Sequence, residues 1–266
     1  MHFRRDQLIA APQSLVFDYH EREGALERLS PPWERMRILS HMGGIKNGGE
    51  MRARLLMLGP FGPIWHAAHH GYEPPQEFRD TQKSGPFAEW QHVHRFEQRD
   101  AEHTLLSDDI TYRLPLGALG RFFGGAMVGR RLERMFRYRH VVTVADTERH
   151  HWARAHGAWR IAITGSTGLI GTALSRFLSL GGHTVLLLVR TRDVQGIYWN
   201  PERGEIDAAG LEGVDAVVHL AGENVAAARW SSQPESVRGV QERSDEGRAP
   251  GIEAVAAGSD GNGFDA

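Results

Sequence analysis

The chain has 266 residues, no cysteine and a formal net charge of -2, a length that suffices for one large or two ordinary domains. Without thiols there is neither a disulfide framework nor a thiolate metal site, which fits a reducing compartment, and the near-neutral charge leaves no electrostatic footprint for a nucleic-acid partner. No apolar run reaches the length of a membrane span or of a signal-peptide core, so the expected location is the cytoplasm.

Residues 1–145 read as a strand-rich domain. A strand near 2–9 leads through Pro12 into helical stretches over 14–19 and 24–29, stopped by Pro31 and Pro32. Extended segments follow at about 36–41, 50–58, 64–72, 77–83, 89–98 and 103–113. Gly43-Gly44, Asn47-Gly48-Gly49, Gly59-Pro60, Pro74-Pro75 and Gly85-Pro86 separate them, and such pairs punctuate strands. After Leu114-Pro115-Leu116-Gly117 a long helix begins, with Phe122, Phe123, Met127, Val128, Leu132, Met135 and Phe136 at helical spacing. This stripe is expected to be core, and the arginines between its members, Arg130 to Arg139, its solvated back. A sheet curved around one helix encloses an apolar cavity, which is a ligand-binding geometry.

Histidines are frequent on the strands of this half. His66 and His70 share a face of an extended segment, as do His92 and His94. With His69 and Asp80 they suit three roles: a metal site, ligand contacts on the cavity wall, or ordinary cross-strand packing. No helical His-Glu-x-x-His spacing accompanies them, so no metal is assigned, and His69, Asp80, His92 and His94 are taken as candidate cavity residues.

Residues 146–158 are polar, hold His150, His151 and His156, and read as a linker. From Arg160 the pattern is strand, glycine turn, helix. Ile161 and Ile163 are β-branched, Gly165-Ser166-Thr167-Gly168-Leu169-Ile170-Gly171 interrupts, and Ala173, Leu174, Phe177 and Leu178 recur at helical spacing up to Gly181-Gly182. The apolar run from His183 to Val189 then completes a β-α-β unit. Such a turn aims unpaired N–H groups and the positive end of a helix dipole at one point, which suits a phosphate. The spacing is G-x-x-G-x-x-G, and its context favours dinucleotide binding over bare packing. Where a carboxylate would take the ribose 2′-OH, the chain has Arg190, with Arg192 nearby. That favours NADP over NAD, the alternative being a solvated loop. Residues 197–200 and 205–207 suggest a hairpin, and 211–222 another buried strand closing in glycine.

The first half resembles the helix-grip fold of START and polyketide-cyclase-like domains. More closely, the phrases His20 to Trp33, Gly85 to His94 and Leu114 to Gly117 look like the N-terminal half of a bacterial two-domain family whose second half is an atypical, epimerase-like short-chain dehydrogenase. The resemblance covers about residues 1–230. It implies an α+β helix-grip domain followed by a partial α/β Rossmann domain over 159–230, and it places Leu220, Ala221 and Gly222 beside the cofactor. The alternative for these three is a simple strand-end turn. Residues 231–266 contain no leucine and one aromatic residue and cannot bury a core, so a disordered tail and a second domain shorter than the family's are expected. Short-chain dehydrogenases commonly use a Tyr-x-x-x-Lys pair, yet Lys46 and Lys83 are the only lysines and neither stands four places after a tyrosine. No catalytic residue is therefore assigned. The resemblance implies an NADP-binding, epimerase or dehydratase-like protein, catalytically incomplete, with a nicotinamide dinucleotide and a small apolar ligand as partners. The alternative is a non-enzymatic ligand-binding module with a vestigial nucleotide-binding fragment.

Overall fold

Strands β1 (His2–Ile9), β2 (Met36–Met42), β3 (Glu50–Leu55), β4 (Ile64–Glu73), β5 (Glu77–Ser84), β6 (Glu89–Gln98) and β7 (Thr104–Arg113) form one antiparallel sheet in the order β1-β7-β6-β5-β4-β3-β2. The computed structural model describes residues 1–56 and 61–222. These divide into a first unit, residues 1–158 with 176–182, and a second, residues 159–175 with 183 onward. The tail beyond Trp230 and the glycine-proline pair at 59–60 lie outside the described residues. No helix among the described residues is long and apolar enough to cross a membrane.

In the first unit, helices α1 (Gln13–Glu21) and α2 (Ala25–Arg28) follow β1, and a helix of 37 residues, α3 (Gly117–Ala153), follows β7. Alternation sets the packing. On β7, Leu106, Ile110 and Tyr112 are buried while Thr111 and Arg113 are exposed, as a sheet covered on one face requires. Trp90, Ile110, Tyr112 and Leu114 meet Leu132 and Phe136 of α3, and Val16 and Phe17 of α1 close a second cluster with Ile9, Phe78, Phe96 and Leu106. The unit is an α+β helix-grip domain.

Two expectations about α3 are corrected. Its apolar stripe is core only in part: Leu132 and Phe136 are buried, but Phe122 is 81% exposed, Phe123 74% and Met127 63%. Periodicity identifies the apolar side of a helix, not whether anything covers it. The stretch 146–158 is not a linker over its first half, since α3 continues to Ala153. Thr143, Asp146, Thr147 and His150 are buried at i, i+3, i+4 and i+7 spacing, so the inward face persists after its apolar residues end. Asp146 is held there by a bidentate pair with Arg28 of α2 (2.8 Å for each nitrogen) and by the Tyr19 hydroxyl of α1, which donates at 2.8 Å.

The second unit is a parallel sheet. Strands β8 (Arg160–Thr164), β9 (Thr184–Val189), β10 (Ile197–Asn200) and β12 (Ala216–His219) are parallel, and β11 (Glu205–Ile206) forms a hairpin with β10. The order is β11-β10-β9-β8-β12, with helix α4 (Leu169–Leu180) linking β8 to β9. β8 is an inner strand, flanked by β9 and β12, and its Ile161, Ala162 and Ile163 are buried. The chain moves to one side of β8 to make β9 and to the other to make β12, so the end of β8 is a topological switch point, where ligands of open α/β sheets bind. Only four residues of the expected strand at 211–222 are extended.

Candidate functional site

The first unit encloses a cavity of about 1010 Å³ between the sheet and α3. Trp65, Phe78, Trp90, Leu132 and Phe136 supply apolar wall, and His69, Asp80, His92 and His94 line it as well. His66 and His70 have the other parity on β4: His66 lies 3.1 Å from Glu50, and His70 is exposed.

The polar part of the wall is a buried network. Asp80 and His92 are cross-strand partners, as are His94 and Asp108. Asp80 Oδ2 lies 3.1 Å from His92 Nδ1 and 3.6 Å from His94 Nε2. Asp108 Oδ1 lies 2.9 Å from His92 Nε2 and 2.7 Å from His94 Nδ1, and its other oxygen contacts His140 Nε2. Trp90 Nε1 donates to Asp80 Oδ1 at 3.2 Å. Burial alone would raise the pKa of both carboxyls. The His92 charge and close contact, with His94 nearby, hold Asp80 far below the usual carboxylate range, and the His94 charge with bonds from His140 and His92 does the same for Asp108. Burial pulls His92 down, yet the Asp80 charge and the Asp108 bond outweigh it and its pKa is raised. His20, whose Nδ1 meets the Val16 carbonyl at 2.8 Å, is pushed down to about 3 by burial. Burial lowers His69 also. The wall thus holds two ionised carboxylates on neighbouring imidazoles, an arrangement that binds a cation or passes a proton.

Asp108, His140 and His20 were not among the sequence candidates. For Asp108 a signal was present: a charged residue at the buried parity of β7, between Leu106 and Ile110. For His140 it was four-residue spacing from Phe136.

In the second unit the glycine turn leaves the end of β8. Gly165 has φ +65°, and a Cβ there would stand 2.7 Å from the carbonyl carbon of Leu220 and 2.8 Å from the nitrogen of Ala221. A Cβ on Gly171 would stand 2.2 Å from the Gly165 oxygen. The turn is closed by Gly168 N donating to Gly165 O at 3.0 Å and Thr172 N to Gly168 O at 2.9 Å. Ser166 is buried and Thr167 exposed, while Leu169 and Ile170, at the first turn of α4, are 91% and 67% exposed. Thr164 Oγ1 accepts from the N–H groups of Leu220 (3.0 Å) and Ala221 (3.1 Å) and lies 2.9 Å from His219 Nδ1, which ties the end of β12 to that of β8. Gly222 is exposed. Arg190 stands 5.8 Å over the Trp199 ring and Arg192 3.9 Å over Tyr198, so both guanidiniums rest on aromatic faces of β10. A helix start with its first-turn donors outside the helical ladder, and glycines that keep the backbone bare, fit a pyrophosphate.

Two family profiles match the chain. That of polyketide cyclase / dehydrase and lipid transport matches residues 9–136, and that of the NAD dependent epimerase/dehydratase family matches residues 161–240. An epimerase family protein of Mycobacterium bovis is 51% identical over 73 residues, 27% of this chain and 24% of that protein. An epimerase family protein of Homo sapiens is 44% identical over 66 residues, 25% of this chain and 21% of that protein. The solved nucleoside-diphosphate sugar epimerase of Corynebacterium glutamicum is 30% identical with a TM-score of 0.64, covering 90% of this chain and 48% of that one. The chain spans about a quarter of the length of the curated relatives it matches. The chain thus carries a polyketide-cyclase, START-like domain over residues 9–136 followed by an epimerase-like segment over residues 161–240.

Proposed function

We propose that the second unit binds a nicotinamide dinucleotide, NADP in preference to NAD, for an epimerase- or dehydratase-type reaction, and that the cavity of the first unit takes a small, largely apolar ligand. The observation that carries the cofactor reading is the bare turn at Gly165, Gly168 and Gly171, pressed against Leu220 and Ala221 at the end of β8. In this reading the N–H groups of Ser166, Thr167, Leu169, Ile170 and Gly171 face the pyrophosphate, that of Gly168 being donated to the Gly165 carbonyl, and Leu220, Ala221 and Gly222 pass the adenosine ribose. Arg190 supports the choice of NADP, since a guanidinium pairs with a 2′-phosphate where a carboxylate would repel it. Bound there, the cofactor would supply hydride transfer; the chain's own residues bind and orient it. The cavity supports the second half of the proposal by its size and its aromatic wall.

Titration of the full chain with NADPH and with NADH, followed by nucleotide fluorescence, tests the assignment. NADPH is expected to bind more tightly, and Arg190→Ala to narrow the gap by about tenfold, the loss of one charge-assisted phosphate contact. Equal or tighter binding of NADH would refute the NADP assignment and leave the dinucleotide site itself to be judged on the NADH affinity.

A further inference from the structure

The histidine and carboxylate cluster of the cavity wall is not used by the dinucleotide reading and stands independently of it. We propose that Asp80 Oδ2, His92 Nδ1 and His94 Nε2 form a site for a divalent transition-metal cation of the zinc type, opening onto the cavity that all three residues line. The three ligands lie on two neighbouring strands, β5 and β6, so no helical His-Glu-x-x-His spacing marks them.

Three features of the geometry carry the proposal. The candidate ligand atoms all lie within 4.8 Å of one another. Asp80 Oδ2 is 3.1 Å from one imidazole nitrogen and 3.6 Å from the other, while donors at 2.0–2.2 Å from a tetrahedral zinc stand about 3.3–3.6 Å apart. Small side-chain adjustments therefore complete the site. The outer partners are also present. Asp108 Oδ1 is hydrogen-bonded at 2.9 Å to the remaining nitrogen of His92, the carboxylate–histidine–metal arrangement that fixes tautomer and ring orientation, and lies 2.7 Å from that of His94 as a charge contact without hydrogen-bond geometry. Trp90 Nε1 donates to the other carboxylate oxygen of Asp80, Oδ1, at 3.2 Å. Finally, the rings are held: His94 stacks on Phe78 at 4.1 Å and His92 meets Phe136 edge-on at 5.3 Å. Two imidazoles and one carboxylate suit zinc, cobalt(II) or iron(II) over magnesium or calcium, which prefer all-oxygen shells. Three protein ligands leave a fourth position for water or for a carbonyl or hydroxyl oxygen of a cavity ligand, which the cation would polarise.

The test is calorimetric titration of the chelator-treated full chain with Zn²⁺, with Mg²⁺ as control, joined to X-ray absorption of the zinc-loaded wild type. One saturable Zn²⁺ site is expected, without a Mg²⁺ counterpart. Asp80→Asn and His94→Gln should each weaken it by about 100-fold or more, as expected for a lost ligand, and Asp108→Asn by about 10–100-fold. His66→Gln and His70→Gln, on the opposite face of β4, should leave it unchanged. Absorption should report two imidazoles at about 2.0–2.1 Å. Absence of a saturable site, or equal affinity in all variants, would overturn the proposal. Should the buried variants fail to fold, the spectrum of the wild type decides alone: fewer than two imidazoles in the shell would refute the site.

Discussion

At His20 the physical chemistry yields a stability that depends on pH. The ring is buried and its pKa is pushed from 6.5 down to about 3, with His94, Asp108 and Arg139 the charged neighbours that modify it. Between those values the unfolded chain takes up a proton that the folded chain refuses, so stability falls as pH drops through this window. His69, also lowered by burial, adds to the loss. Asp80 and Asp108, both depressed, contribute stability that is present above the usual carboxylate pKa and is lost only as pH falls below it. Urea denaturation of the metal-free protein at pH 7 and pH 5 reads the histidines, of which His92, raised by Asp80 and Asp108, works in the opposite sense to His20 and His69. His20→Gln is expected to remove about 2 kcal/mol of the wild-type loss, from roughly 1.4 kcal/mol per pH unit; an unchanged loss would mean that His20 titrates normally. Gly165 makes the same kind of claim for backbone geometry. With φ +65° and a hypothetical Cβ 2.7 Å from Leu220, Gly165→Ala should cost about 1–3 kcal/mol and shift the thermal midpoint accordingly. A neutral substitution there would contradict the close approach of β8 and β12.

Among the elements, α3 shows what pattern can and cannot reveal. Its onset after Leu116-Gly117 was legible because apolar residues recur at helical spacing. Its end over 146–153 was not, because the inward positions Asp146, Thr147 and His150, like Thr143 just before them, are polar, and the burial of Asp146 rests on Arg28 and Tyr19, distant in sequence. Nor could spacing reveal that Phe122 and Phe123 lie uncovered while Phe136 is enclosed by Phe3, Trp90 and Ile110. Phe136→Ala should therefore cost about 3–5 kcal/mol, whereas Phe122→Ser and Phe123→Ser should each stay within about 0.5 kcal/mol. Chemical denaturation of the three variants checks this contrast; comparable losses would show that the N-terminal turns of α3 are buried after all. The strands were legible nearly throughout, since glycine and proline pairs mark their ends and alternation marks their faces. The cavity network was half legible: the even spacing of His92 and His94 placed them on one face, but only the pairing of β6 with β7 brings Asp108 to them.

Across the whole molecule, the chain joins a helix-grip domain with a ligand-sized cavity to a β-α-β-β-β-β segment that matches the epimerase profile. The two parts were separable in the sequence because period-2 segments with frequent turns give way to one strand–turn–helix–strand unit. The second unit starts at Trp159, as expected, but the end of α3 before it read as a linker because a polar helix face looks like one. In the second unit the order β10-β9-β8-β12 places the glycine turn at the switch point of the sheet, and the proposed activity depends on that turn holding a diphosphate. Calorimetric titration of the full chain with NADPH tests this most directly, alongside Gly168→Val, a site without left-handed strain where a Cβ would lie 3.2 Å from the Gly165 oxygen. The account predicts saturable binding at one site in the wild type and at least about tenfold weaker binding in the variant, as a side chain holds the pyrophosphate off the backbone. A wild-type chain that gives no saturable heat with NADPH would contradict it.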